Sequence, residues 1–262
     1  MKVQIHGFET YYLIADPHLN KKTPEINNNF TDILSKIAKI PNSCLIILGD
    51  FVDFWFENKI YDLSGEYEIF KEIKKIILEN KYPVFLIKGN RDFLAGKKFE
   101  ESTGIKVLGD ECSISINGIK YYLAHGDIFC ANDISYLLWR KFSRSVIIKI
   151  ISTLIPKYAA IIIIRQFRHL STLKNAAKKP INLSISLKTL CSHINDINPD
   201  KVVCGHNHIL RIKPLSQSEF TTLSIKKRIK FMVLSKLQKW GGYYLRINKD
   251  GSEDIEIYSV KS

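Results

Sequence analysis

Cysteine is scarce in this chain, and the five residues present (Cys44, Cys112, Cys130, Cys191 and Cys204) are scattered and odd in number. No pair has metal-finger spacing. The sequence therefore predicts neither a disulfide framework nor a thiolate metal site, and a reducing compartment fits best. Long apolar runs are missing as well. A membrane helix needs about 18 or more apolar residues in a row. The nearest stretch, Ser145–Ile164, is interrupted by Lys149, Pro156 and Lys157, so no span is expected. Met1 to Asp16 has neither a long apolar core nor a small-residue cleavage site, and no signal peptide is expected. Two catalytic fingerprints are also absent. Lack of G-x-x-x-x-G-K-[ST] argues against an ATPase, and lack of G-x-S-x-G leaves no serine-nucleophile elbow. There is no internal repeat and no low-complexity tract.

Acidic residues are in short supply too: 26 against 39 basic ones over 262 residues, a formal charge of +13. The surplus is local. Residues 131–181 hold ten basic side chains and one acidic one, Asp133, while 224–239 hold six basic and none acidic. The other 195 residues, with 23 basic and 25 acidic, are close to neutral. Local patches point to a local anionic partner: lipid headgroups, a polyphosphate substrate or nucleic acid. With 45% hydrophobic and 25% charged residues the composition is globular, and the chain is long enough to bury a large core.

Hydrophobic spacing alternates between strand and helix in the first half. Tyr11–Ala15, Cys44–Leu48 and Pro83–Ile87 read as strands, and Phe30–Ile40 and Glu66–Glu79 as amphipathic helices. Continuous apolar strands between such helices indicate an α/β fold with a sheet covered on both faces. Ser113–Ile116 and Ile119–Ala124, joined by Asn117-Gly118, read as a hairpin. A long helical stretch is expected over 131–178 and a short strand at Val202–Cys204. Phe231–Leu234, Tyr243–Ile247 and Ile255–Tyr258 read as sheet edges. Asp16, Asp50, Asn90, His125 and His206 each follow an apolar strand within a residue or two. Open α/β sheets bind ligands beyond the carboxyl ends of their strands, so these five side chains are candidates for one site.

They belong to five blocks: Asp16-Pro17-His18, Gly49-Asp50-Phe51-Val52-Asp53, Gly89-Asn90-Arg91-Asp92, His125-Gly126-Asp127 and Gly205-His206-Asn207-His208. Carboxylate, imidazole and amide donors without a thiolate suit Mn, Fe or Zn better than Ca. The glycines before Asp50, Asn90 and His206 would let the backbone come close. In type and order the blocks resemble D-x-H, G-D-x-x-D, G-N-[HR]-[DE], H-G-[DH] and G-H-x-H of the calcineurin-like metallophosphoesterase superfamily. The resemblance implies an αββα sandwich of two mixed sheets flanked by helices. It places the core at 1–130 and 182–262 and a helical cap insertion at 131–181. It further implies two divalent cations, with manganese expected. Asp16, His18, Asp50 and His208 would hold one, and Asp50, Asn90, His125 and His206 the other, Asp50 bridging them. Such a pair makes hydroxide available at neutral pH for in-line attack on phosphorus.

Many relatives carry His after the Asn, where it protonates an alkoxide leaving group; this chain has Arg91. Arginine, with a pKa above about 12, is a poor acid but a good clamp for phosphate oxygens. That fits cleavage of a pyrophosphate, whose leaving group is already a stable anion; a salt bridge to Asp92 or Asp53 is the structural alternative. Gly89-Asn90-Arg91-Asp92-Phe93-Leu94 with Gly96 and Phe99, and His125-Gly126-Asp127 with Cys130 and Asp133, resemble the UDP-2,3-diacylglucosamine pyrophosphohydrolases of lipid A biosynthesis. This resemblance implies hydrolysis to UMP and 2,3-diacylglucosamine 1-phosphate. It assigns catalysis to Asn90, Arg91 and His206, and substrate contact to these three with Asp133, Arg168, Ser171, Asn175 and Lys178. The chain departs from the family at Ala15, Asn132, Cys204, Asn207, Ile209-Leu210 and Leu234–Trp240, none of which removes a metal ligand.

In the insertion, Leu137, Leu138, Trp139, Phe142, Val146, Ile147, Ile150, Ile151 and Leu154 form an apolar stripe among basic residues. It reads as a face for an anionic bilayer, a slot for lipid tails or a hairpin packed on itself. The partners implied are a nucleotide-linked glycolipid and an anionic membrane surface. The protein would be a peripheral monomer on the cytoplasmic face of a bacterial inner membrane. Nucleic acid is not expected, because the basic patches are interleaved with aliphatic rather than stacking aromatic residues. The alternative is a related enzyme acting on another nucleotide pyrophosphate or phosphodiester.

Overall fold

The structure is a computed structural model that describes residues 3–55, 57, 67–130, 134–156, 159, 162, 186–214 and 229–259. Its first sheet is built on four parallel strands: β2 (Thr10–Ile14), β3 (Ser43–Leu48), β4 (Val84–Ile87) and β5 (Lys106–Gly109). β11 (Gly241–Asn248) runs antiparallel to β2, and β12 (Glu253–Ser259) antiparallel to β11. The second sheet contains β1 (Val3–Ile5), β6 (Glu111–Ile116), β7 (Ile119–Ala124), β8 (Lys201–Cys204), β9 (Arg211–Pro214) and β10 (Lys230–Val233). Its order is β1-β6-β7-β8-β10-β9, again with parallel and antiparallel pairs. The two sheets stack, helices cover both outer faces, and an extra helical pair lies beside them. This is the expected αββα sandwich of two mixed sheets.

The period-two alternation of the strands produces the layers. Tyr12, Ile14, Leu45 and Ile47 face the helices α1 (Pro24–Ile37), α2 (Tyr67–Asn80) and α3 (Lys97–Thr103). Their neighbours Tyr11, Leu13, Cys44, Ile46 and Leu48 face the second sheet, packing with Ile114, Tyr121, Leu123 and Val203. On the far side Tyr122, Ala124, Val202 and Cys204 meet Leu190, Cys191 and Ile194 of α6 (Leu187–Ile194). Each fully buried Leu, Ile or Phe contributes about 1.5–3 kcal/mol, so these three contiguous layers anchor the strand ends firmly. The five cysteines are buried, as small apolar residues are.

Several elements differ from the sequence reading. α1 begins at Pro24 rather than Phe30, with the proline in the first helical turn. The short elements β1, α3, β5, α6 and β9 were not expected. β11 lies between β12 and β2, and β10 between β8 and β9, so only β12 of the last three expected strands is an edge. The long helical stretch is broken. α4 (Ile134–Ser143) and α5 (Val146–Leu154) are separated at Arg144-Ser145, and the Ser145 hydroxyl caps α5 by accepting from the Ile148 N–H. Pro156 follows soon after α5, where it cannot continue a helix. The hairpin turns at Asn117-Gly118 as expected, both residues having positive φ. Among the described residues no helix is long and apolar enough to cross a membrane.

Candidate metal centre

The ends of β2, β3, β4, β7 and β8 deliver Asp16, Asp50, Asn90, His125 and His206 to one edge of the sandwich. The connecting loops are strained there. Asp16, His18, Asp50, His206 and His208 have φ of 51°, 50°, 51°, 71° and 58°, the left-handed region that costs a non-glycine residue energy. Hydrogen bonds between loops hold them. The His206 N–H donates to Asp16 Oδ2 at 2.8 Å, the Arg91 N–H to Asp50 Oδ1 at 2.9 Å and the His18 N–H to the Asp50 carbonyl at 2.9 Å. Glycine is required where chains meet. A Cβ on Gly89 would lie 2.3 Å from Asp50 Oδ1, and one on Gly205 would lie 2.4 Å from Asp16 Oδ2.

Asp92, buried, ties two of these loops by accepting from the Phe51 N–H at 2.8 Å and the Gly89 N–H at 2.6 Å. It thus gives its oxygens to backbone instead of serving Arg91 as an ion-pair partner. From sequence alone Asp92 offers only that second role. Its position directly after the Asn-Arg pair was the available signal.

Two groups of donors emerge, one of Asp16, His18 and His208 and one of Asp16, Asp50 and His125. Asp16 Oδ1 lies 3.7 Å from His208 Nε2, 3.8 Å from His125 Nδ1 and 4.0 Å from His18 Nε2. Asp50 faces both ways, with Oδ2 3.8 Å from His18 Nε2 and Oδ1 3.6 Å from His125 Nε2. The Asn90 amide oxygen is 3.0 Å from His125 Nε2, and His206 Nδ1 is 3.2 Å from the same nitrogen. His18 and His208 oppose their Nε2 atoms at 3.3 Å. All seven expected ligands therefore converge.

The electrostatics of this cluster fit cations. Asp16 Oδ1 is buried and accepts no hydrogen bond from the described residues. Burial, helped by the Asp16 and Asp92 carboxylates, pushes Asp50 up to about 7 against the pull of His125 and Arg91. The chain's own charges thus leave Asp50 undercompensated, and a divalent cation would supply the missing charge. Burial holds His18 down to about 3 and His206 down to about 4, keeping both rings neutral and able to ligate. Burial also opposes the charged form of His125, but Asp50, Asp16 and Asp127 outweigh it and raise the ring to about 9. Carboxylates and imidazoles without thiolate make this a dinuclear divalent-metal centre by donor type and spacing.

Arginines from the helical pair reach the same edge. Arg140 Nε donates to Asp127 Oδ2 at 2.8 Å, and Arg144 Nη2 donates to the Gly89 carbonyl at 3.0 Å. These two belong to the basic patch but are turned inward, a use the sequence reading missed; their i, i+4 spacing was the signal. Arg91 Nε is buried without a hydrogen-bond partner among the described residues. Asp53 lies 3.8 Å from His18 Nδ1. Asp133, Arg168, Ser171, Asn175 and Lys178 lie outside the described residues.

A model of the calcineurin-like phosphoesterases matches residues 10–210. The chain is 29% identical over 252 residues to a UDP-2,3-diacylglucosamine hydrolase of Blochmanniella pennsylvanica, covering 94% of this chain and 97% of that one. A UDP-2,3-diacylglucosamine hydrolase of Haemophilus influenzae is 27% identical over 212 residues, covering 81% and 87%. A dimetal phosphatase from Danio rerio shares the fold, with a TM-score of 0.53 at 12% identity and 97% coverage of both chains. The match to the family model over most of the chain, joined to two clusters of metal donors at the expected sheet edge, makes this chain a member of the calcineurin-like phosphoesterase family, with the centre of a metal-dependent hydrolase of phosphoester or anhydride bonds.

Proposed function

We propose that this protein hydrolyses the pyrophosphate bond of UDP-2,3-diacylglucosamine to UMP and 2,3-diacylglucosamine 1-phosphate. Asp16, His18, Asp50 and His208 would hold one divalent cation, manganese in this reading, and Asp50, Asn90, His125 and His206 the other. When bound, such a pair lowers the pKa of water and offsets charge on phosphate oxygens. Asp50 suits the bridging place, because its two oxygens face different imidazoles. Although the metal-free His125 ring is raised to about 9, its Nε2 proton would be displaced by a cation, and the Nδ1 proton, donated to the Leu48 carbonyl at 2.8 Å, would keep Nε2 directed at the centre. Asn90, Arg91 and His206 are assigned to grip phosphate oxygens as charge builds on them.

The observation that carries the substrate class is Arg91. Its backbone is tied to Asp50, its positive charge acts on Asp50 and His18, and its Nε is buried without a hydrogen-bond partner among the described residues. A guanidinium so placed clamps phosphate but does not protonate a leaving group, which favours an anhydride over a simple ester. The lipid half of the substrate has support in α4 and α5. Leu138, Phe142, Ile150, Ile151 and Leu154 are between 44% and 75% exposed, an apolar face for acyl chains or a bilayer surface. Asp133, Arg168, Ser171, Asn175 and Lys178 remain proposed contacts to the polar part of the substrate. The working location is peripheral, on the cytoplasmic face of an inner membrane, as a monomer.

The test is direct. Purified protein with Mn²⁺ and UDP-2,3-diacylglucosamine should release UMP. Turnover of simple nucleotide pyrophosphates or phosphodiesters with the glycolipid left intact would favour the alternative, a related enzyme with another substrate.

A further inference from the structure

α4 and α5 meet the sandwich through a cluster that the hydrolytic chemistry does not use. Arg140 and Arg144 lie one helical turn apart, with side chains only 14% and 12% exposed. Neither is available to a surface anion. Arg144 contacts three separate segments. Its Nη2 donates to the Gly89 carbonyl at 3.0 Å and lies 3.5 Å from Asp127 Oδ2, and its Nε donates to Asp110 Oδ1 at 3.2 Å. Gly89 belongs to the loop after β4 in the first sheet. Asp127 follows β7 in the second. Asp110 is the single residue between β5 and β6, where the chain crosses from one sheet to the other. Arg140 braces this arrangement from Asp127 at 2.8 Å and Asp110 at 3.4 Å.

These contacts bear on two proposed ligands. Gly89 precedes Asn90, and its amide is held from the other side by Asp92 at 2.6 Å. Asp127 stands two residues beyond His125, and the Asn90 amide and the His125 ring are 3.0 Å apart. A planar fork with several donors can hold a carbonyl and two carboxylates at once, which a single ammonium cannot do. We infer that Arg144, braced by Arg140, is a positioning residue for the Asn90–His125 half of the metal centre, locking the loop of one sheet against the loop of the other. Arg144 acts through the Gly89 carbonyl and the Asp127 carboxylate. Because it sits where α4 ends, the orientation of the helical pair and the spacing of that half-site are set together. The inference rests on Asn90 and His125 sharing one of two cations.

The experiment titrates Mn²⁺ into the full-length protein, metal-free at the start, and follows free Mn²⁺ by electron paramagnetic resonance. Wild type, Arg144→Ala, Arg144→Lys and the control Lys141→Ala are compared, each melted by circular dichroism. Lys141 is exposed on the same helix. The wild type and Lys141→Ala should bind two Mn²⁺ alike. Both Arg144 variants should weaken one equivalent by about 10–100-fold, the loss typical when an outer partner of a ligand is removed, and leave the other unchanged. If Arg144→Ala fails to fold, Arg144→Lys, which keeps the charge, decides the matter. Wild-type affinity at both sites, or equal weakening of both, would overturn the positioning role. Fewer than two Mn²⁺ on the wild type would overturn the dinuclear reading and this inference with it. Two Mn²⁺ on a wild type that leaves the glycolipid intact would overturn the substrate alone.

Discussion

At the sheet edge, carboxylates and imidazoles are drawn inside and the surrounding apolar side chains are covered. In the α4–α5 pair the order is reversed: two arginines are tucked in while Leu138, Phe142, Ile150, Ile151 and Leu154 face outward. Ile148 and Ile155 pack against the core from this pair. The edge needs rigidity, because strained backbone and like charges persist only where packing and interloop hydrogen bonds over-determine them. Among the described residues the helical pair keeps several large apolar side chains exposed. One region gathers ion-binding groups inside, and the other leaves apolar side chains outside.

The largest effect should come from breaking the edge at Asp50. Asp50→Asn should lower turnover by at least about 10²–10³-fold, the scale of losing a main electrostatic group. It should also abolish the thermal stabilisation that metal gives. For the wild type, Mn²⁺ at about 100 times its Kd adds about 2.7 kcal/mol. For a chain of this size EDTA should therefore lower Tm by about 5–10 °C. An Asp50→Asn protein with full activity and the same EDTA effect would remove Asp50 from the centre.

A smaller effect is expected one step away from the donors. Asp92→Ala leaves the buried N–H groups of Phe51 and Gly89 unpaired and should cost about 2–4 kcal/mol in urea unfolding. A loss under about 0.5 kcal/mol, the range of an ordinary surface change, would mean that the loops are held by other contacts. The smallest effect on stability belongs to the helical pair. Phe142→Ser with Leu154→Ser should change unfolding free energy by no more than about 0.5 kcal/mol per site. Sedimentation with phosphatidylglycerol vesicles should nevertheless fall. A large loss of stability would instead show that this face is packed against the protein, and the contrast between the two regions would disappear.

How much of this was legible beforehand varies along the chain. β2, β3 and β4 were readable because strands buried on both faces are continuously apolar. The start of α1 was not, because Asn27, Asn28 and Asn29 have weak helix preference. The tertiary fold overrides that preference by burying Asn29, whose amide donates to the Gln238 and Lys239 carbonyls. β1 and α3, with three and seven residues, are too short to show a period. Local pattern makes β11 an edge, but β2 pairs with it from a part of the chain that local pattern cannot reach.

The donors themselves were legible because few side-chain types can bind a divalent cation, and each stood just past an apolar strand. The sequence alone determined which groups are present, in what order, and on which strand ends they ride. Their convergence was decided by the tertiary structure. His18 and His208 are 190 positions apart, and only the stacking of two sheets brings their rings within 3.3 Å. The left-handed loops and the inward turn of Arg140 and Arg144 were decided in the same way. Each depends on which backbone meets which, and that is a property of packed layers rather than of neighbouring residues.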